Sequence, residues 1–329
     1  MIDTERAGVP TSAPPTSAPA ARPVGKLSPA SGAYVGTYSS TDGLSSDKTI
    51  EAYLQQREAL AGRNFAIQNF MPGWTAPLDS SLVRWDIAHD IIPLISWNTA
   101  GVSDQSITDG SQDALIKTQA DRIKALPTDV FIRFDWEMNG NWFGWDGTHN
   151  GGPGTGPAAY VAMWRHIHDV FTAEGATNVA WVWTPSSTSL PAANWNDVTQ
   201  YYPGDAYVAW VGLDDYNYGG TLGHSAGWND FASQLQPIYG YYAAKKPLMI
   251  GEMGSVNNLP GHDKGQWITQ MAADVKAHYP DVQALVWFDV KYDADWRFDT
   301  SPSSLQAFKA WIADPYYNPS SQATGPGTG

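Results

Sequence analysis

The sequence has 329 residues, and 33 Asp and Glu against 19 Lys and Arg leave a formal net charge of −14. That balance argues against nucleic acid as a partner, whose phosphates are met by Lys and Arg, and against an anionic membrane surface. The chain has no Cys, which excludes disulfides, thiolate metal sites and a Cys nucleophile. Its 16 Trp are more stiff, half-polar rings than a core requires, and stacking surfaces for sugars would use them.

Residues 1–27 are rich in Pro, Ser, Thr and Ala and read as a disordered linker. The polar start, Met1-Ile2-Asp3-Thr4-Glu5-Arg6, lacks the apolar region of a signal peptide. Linkers of this kind commonly tether extracellular domains, so a secreted protein is expected, its signal not present in this chain. No run of 18 apolar residues marks a membrane span. Residues 318–329 read as a flexible tail, which leaves residues 28–317 as one folded domain, with a monomer as the default state.

Short apolar runs predict strands at 32–38, 65–70, 91–97, 130–137, 179–183, 207–216, 248–254 and 285–290. Helical patterns fall at 47–61, 79–89, 110–125, 157–174, 228–244, 263–278 and 303–312, while 184–206 holds no convincing helix. The fourth is the clearest, with Tyr160, Trp164, Ile167 and Phe171 on one face. Strand-then-helix alternation implies parallel strands with right-handed crossovers. Eight such units in roughly 290 residues predict a single (β/α)8 TIM barrel.

In such a barrel the chemistry sits at the C-terminal ends of the strands. Here those ends carry Trp74, Trp97, Trp136, Trp142, Trp183 and Trp287, with Trp145 on the long loop after the fourth strand. All seven are candidate ligand-stacking rings, whereas Trp164, Trp267 and Trp311 fall within helices and are assigned to the core. Carboxylates and amides share the same rim, which describes a surface for carbohydrate.

Strand alternation places Arg133, Asp135 and Glu137 on one face. Arg133 is expected to hold Asp135 ionised beneath the site and leave Glu137 free at the rim. Glu252 ends the seventh strand between Gly251 and Gly254, where missing Cβ atoms would give substrate a close approach to the backbone. Glycosidic cleavage needs two carboxyl groups, one protonated and one ionised, about 5–5.5 Å apart for retention of configuration. Each would raise the other's proton affinity, which suits the acid partner. The plainer alternative makes Glu137 and Glu252 structural ion-pair members.

Other signals are weaker. Gly223-His224-Ser225-Ala226-Gly227 has the spacing of a serine nucleophile elbow, but the residues before it read as loop rather than strand. His166 and His168 lie on different faces of a helix and share no metal. Residues 293–299 lack the calcium-loop spacing. Residues 151–157 are Gly- and Pro-rich and read as a loop ending in a Pro at the helix start. No metal and no cofactor is expected.

The run Arg133-Phe134-Asp135-Trp136-Glu137-Met138-Asn139-Gly140-Asn141-Trp142 resembles the acid/base segment of glycoside hydrolase family 26, and Gly251-Glu252-Met253-Gly254 resembles its nucleophile segment. Gly32-Ala33-Tyr34-Val35-Gly36, Tyr160 to Ile167, Glu174 to Pro185, Tyr202 to Asp205 and Trp210 to Asp214 also match in order, so the resemblance covers residues 32–290. It implies a retaining endo-hydrolase of a polysaccharide, β-1,4-mannan first. Glu137 would be the acid/base, Glu252 the nucleophile and Tyr216 the group that orients it. Arg133 would support the site, and Trp142 and Trp287 would stack on sugar. The family's mannanases carry His where this chain has Trp136, and indole offers one N–H and no acceptor. That departure motivates another glycan: mixed-linkage β-glucan, β-1,3-xylan or a bacterial exopolysaccharide. A carbohydrate-binding barrel without activity is the alternative from another class.

Overall fold

The computed structural model describes residues 22–39, 47–221, 227–257 and 259–318. Residues 1–21 of the 1–27 linker, the 318–329 tail after Asn318, and four of the five residues of the serine-elbow match lie outside them. Among the described residues eight parallel strands close into a barrel in sequence order. They are β1 Tyr34–Tyr38, β2 Ile67–Phe70, β3 Ile92–Trp97, β4 Val130–Phe134, β5 Val179–Trp183, β6 Trp210–Asn217, β7 Leu248–Ser255 and β8 Val282–Phe288. The helices are α1 Asp47–Ala61, α2 Ser81–Ala88, α3 Asp104–Thr108, α4 Asp113–Lys124, α5 Gly152–Ala173, α6 Phe231–Tyr242, α7 Lys264–His278 and α8 Pro302–Ala313. The fold is the (β/α)8 barrel expected.

Two deviations have local causes. The fifth crossover carries only short 3-10 turns at Asn194–Asn196 and Val198–Tyr201, as the missing periodicity suggests. Helix α5 begins at Gly152, not at Pro157, so residues expected as loop are its first turns. Pro153 sits in the first turn, where its missing N–H costs nothing. The buried face of Tyr160, Met163, Trp164, Ile167, Val170 and Phe171 then outweighs the low helix propensity of the start.

Strand alternation sorts the core into two layers. Tyr34, Ile67, Leu94, Phe131, Val182, Trp210, Met249 and Val286 fill the barrel interior. The neighbouring residues Val35, Ile95, Ile132, Trp183, Val211, Ile250 and Leu285 face the helices instead. Counting by twos from the interior set therefore decides what faces the cleft at each strand end.

Candidate active site

Beyond the interior apolar layer the same face turns polar: Ser96 lies two residues past Leu94, Arg133 two past Phe131, and Asp214 and Tyr216 four and six past Trp210. Arg133 is fully buried. Its Nη1 donates to both carboxylate oxygens of Asp214 at 2.9 Å, its Nε to Ser96 Oγ at 2.8 Å, and its Nη2 to Glu252 Oε1. Burial alone would lower the guanidinium's proton affinity, but the charges of Asp214 and Glu252 outweigh it and push the pKa up. The cation is thus fixed beneath the cleft.

Glu252 reaches this face through an irregularity. Leu213 pairs with Ile250 but Asp214 pairs with Glu252, so β7 carries one extra residue, Gly251. Simple alternation from Met249 would send Glu252 outward, and the bulge turns it in. Tyr216 Oη donates to Glu252 Oε2 at 2.7 Å. Burial and the adjacent carboxylate push the Tyr216 pKa well up, so the phenol stays a donor. Both oxygens of Glu252 therefore accept a hydrogen bond, which fixes the orientation of the carboxyl group.

The expectation that Gly251 and Gly254 open the backbone to substrate is corrected. A Cβ at Gly251 would stand 2.7 Å from Asp214 and 2.8 Å from Arg133, and one at Gly254 2.9 Å from the Trp296 ring. The space belongs to the ion pair and to an aromatic wall. Trp296 lies 4.9 Å from both Tyr216 and Tyr218, centroid to centroid.

Glu137 is not on a strand. β4 ends at Phe134, and Asp135 and Glu137 adopt φ of +40° and +56°. Such values cost about 1–3 kcal/mol each in a non-Gly residue. The turn is held by Glu137 N to Thr184 O at 2.8 Å, Asp135 N to Trp97 O at 3.1 Å, and Tyr160 Oη to Asp135 O at 3.1 Å. The expected Arg133–Asp135 pair does not form, because the turn breaks alternation. Asp135 instead accepts from Thr99 N and Oγ1 at 2.9 and 2.7 Å. Burial first, then the charge of Glu252, push the Glu137 pKa up to about 8, against the opposing pull of the Trp142 hydrogen bond and Arg133. Glu137 is thus protonated at neutral pH, as the acid of an acid/base pair must be.

The aromatic expectations fare unevenly. Trp142 is 43% exposed, and its Nε1 donates to Glu137 Oε2 at 2.7 Å. The ring lies across Gly140, where a Cβ would stand 2.6 Å from it. Trp136 is buried, with the Arg133 guanidinium 4.7 Å from its ring centroid and Trp145 against it. Trp74, Trp97, Trp145, Trp183 and Trp287 are all buried and offer no stacking face. Trp97 stacks on Trp74 at 4.5 Å, and Trp287 packs among Trp267, Phe308 and Trp311. Trp97, Trp183 and Trp287 are odd neighbours of interior residues, so they face the helices. The same counting would have found Asp214 and Ser96 as partners of Arg133. Trp296, on the loop after β8, has no periodic signal.

The histidines and the 293–299 loop find protein partners. His166 Nε2 lies 2.6 Å from Asp113, Asp295 pairs with Arg297, and Asp299 with Arg57. Among the described residues no group of three or more His, Asp or Glu side chains is placed to hold a metal ion.

Comparison with known proteins adds the lineage. The chain is 31% identical over 293 residues to Endoglucanase H of Acetivibrio thermocellus, covering 88% of this chain and 31% of that protein. It is 26% identical over 223 residues to a mannan endo-1,4-beta-mannosidase of Bacillus subtilis, covering 63% of this chain and 55% of the relative. The chain thus spans only part of these curated relatives. A solved Bacillus subtilis mannanase superimposes with a TM-score of 0.60 at 21% identity, over 87% of this chain and 86% of that one. The catalytic domain of an endo-β-1,4-mannanase from Bacillus sp. JAMB-750 does so with a TM-score of 0.62 at 18% identity, over 87% of each. These two structures show the shared fold. The sequence profile of glycosyl hydrolase family 26 matches residues 106–310, so the chain belongs to glycosyl hydrolase family 26.

Proposed function

We propose that this chain is a retaining endo-hydrolase of a β-linked hexose polysaccharide. The observation that carries the proposal is the unequal pair of carboxyl groups: Glu137, pushed up to about 8, and Glu252, held by Tyr216 and Arg133. Glu137 gives its proton to the glycosidic oxygen as Glu252 attacks the anomeric carbon and the bond to the leaving sugar breaks. The glycosyl–Glu252 ester is then opened by water, whose proton returns to Glu137. With Glu252 esterified, a negative charge near Glu137 is gone, which lowers its proton affinity after donation and suits its second role as base. Arg133 and Tyr216 stabilise Glu252 as it departs.

For the hexan, two readings have specific support. The relative named Endoglucanase H matches 88% of this chain, and Trp136 stands where the family's mannanases have His; both favour a β-glucan. Relatives named mannan endo-1,4-beta-mannosidase match 49–63% of the chain and favour β-1,4-mannan. The two glycans differ at C2, the position that a neighbouring hydrogen-bonding side chain would read.

The test is a polysaccharide panel of barley β-glucan, lichenan, mannan, glucomannan and β-1,3-xylan, with product sizing and anomeric proton NMR. Internal cleavage with the β-anomer released first is expected. Inversion overturns the mechanism, and no cleavage of any glycan overturns the enzyme reading in favour of a binding barrel.

A further inference from the structure

The Tyr216 ring, whose phenol meets Glu252, packs against two aromatic neighbours of different standing. Phe288 meets it edge-on at 5.7 Å and Trp296 lies at 4.9 Å. Phe288 is the last residue of β8 and is fixed by pairing with Tyr38 of β1. Trp296 belongs to the loop between β8 and α8, so other contacts must place it.

The backbone of that loop is well anchored. Trp296 N donates to Val290 O at 2.9 Å, and Trp287 Nε1 donates to Trp296 O at 2.9 Å. Lys264 Nζ donates to the carbonyls of Asp295 and Arg297 on either side, and Arg57 pairs with Asp289 and Asp299 at the loop's two ends. These contacts hold the main chain at Trp296 but leave its indole free to turn about its side-chain torsions. Asp293 removes that freedom. Its Oδ1 accepts from Trp296 Nε1 and from Ala294 N, both at 2.8 Å, and its Oδ2 accepts from Tyr218 Oη at 3.1 Å.

Tyr218 lies two residues past Tyr216 on the inner face, is half-buried, and meets the Trp296 ring edge-on at 4.9 Å. Burial, then the charge of Asp293, push its pKa up, so the phenol stays a donor to that carboxylate. One carboxylate thus ties the end of β6 to the loop after β8 and fixes two of the three rings around the nucleophile's hydrogen-bond donor. Asp293 itself is exposed, so its removal leaves the core untouched and costs little global stability.

We infer that Asp293 is a positioning residue for the nucleophile: it fixes the Trp296 indole and the Tyr218 phenol, so that Trp296 keeps Tyr216 aimed at Glu252. The inference rests on the retaining-hydrolase reading above and adds to it a group that acts through other side chains. Loss of the carboxylate slows chemistry without weakening substrate binding, and only while Tyr216 has a hydroxyl to aim.

The experiment measures kcat and KM on whichever of barley β-glucan and glucomannan the wild type cleaves faster, with the thermal midpoint of each variant alongside. For Asp293→Ala, kcat is expected to fall about five- to tenfold, with KM within twofold and the midpoint within a few degrees. Asp293→Asn, which keeps an oxygen for the indole N–H, should recover kcat to within about twofold of wild type. In a Tyr216→Phe background the ring packs as before but has no hydroxyl, so Asp293→Ala should cost less than twofold there. Equal losses in both backgrounds overturn the inference, since independent sites give additive effects. Unchanged kcat with Asp293→Ala also overturns it, whether or not the midpoint falls, as does a rise in KM alone, which would assign Asp293 to substrate binding. Failure of the wild type to cleave either glycan counts against the hydrolase reading itself, and the inference falls with it.

Discussion

The inner and outer faces of the strand ends use adjacent residues for opposite purposes. Ser96 and Trp97 are neighbours in β3; one accepts a hydrogen bond from Arg133 beneath the cleft, the other stacks on Trp74 under the helices. Asp214, Tyr216 and Glu252 belong to the inner face, Trp183 and Trp287 to the outer. The contrast teaches that the high Trp content builds mainly the layer between barrel and helices. The function proposed above assigns recognition and chemistry to a small belt of charged and polar groups around one buried guanidinium, with Trp142 as its exposed ring.

That division predicts which property each substitution changes. Glu252→Gln should lower turnover by a factor on the order of 10³ or more while leaving the thermal midpoint within a few degrees, measured by scanning calorimetry beside the assay. Trp97→Ala should do the reverse, costing about 3–5 kcal/mol of stability with kcat/KM per folded molecule nearly intact. A Trp97 variant that is stable but loses substrate affinity would break the comparison. Tyr216→Phe removes a hydrogen bond to a charged group, so kcat/KM should fall about 10- to 100-fold, with little change in urea midpoint.

The smallest effect sharpens the pH behaviour. Glu137 must be protonated to act as acid, so activity should be present below its pKa and be lost as pH rises through about 8. The Trp142 hydrogen bond opposes that upward shift. Trp142→Phe should therefore move the basic limb of kcat/KM to higher pH, by about half a unit; movement to lower pH would contradict the assignment.

The barrel was legible because alternating strands and helices of ordinary length leave few other architectures. Arg133, Glu137 and Glu252 were legible as candidates from their places at or just past strand ends, and Tyr216 through the resemblance to glycoside hydrolase family 26. Their partners were less so, for three physical reasons. β4 ends in a left-handed turn at Asp135 and Glu137, and non-Gly residues give no sequence signal for that. β7 carries a bulge at Gly251 that reverses the facing of Glu252. Six tryptophans near the rim were assigned to ligand by position along the strand or on the following loop, whereas the structure buries them; for Trp97, Trp183 and Trp287, period-two facing decides it. Trp296 reaches Tyr216 from a loop held by Lys264, whose Nζ donates to Asp295 O and Arg297 O at 3.2 and 2.8 Å, a contact without any local pattern.

The central claim is that Glu252 carries the sugar between two steps. Incubation with a 2-deoxy-2-fluoro β-glycoside bearing a good leaving group, followed by proteolysis and mass spectrometry, tests it directly. The expected result is one glycosyl adduct on the peptide containing Glu252, abolished in Glu252→Gln. An adduct on a different carboxylate, or turnover of the natural glycan undiminished by Glu252→Gln, would contradict it.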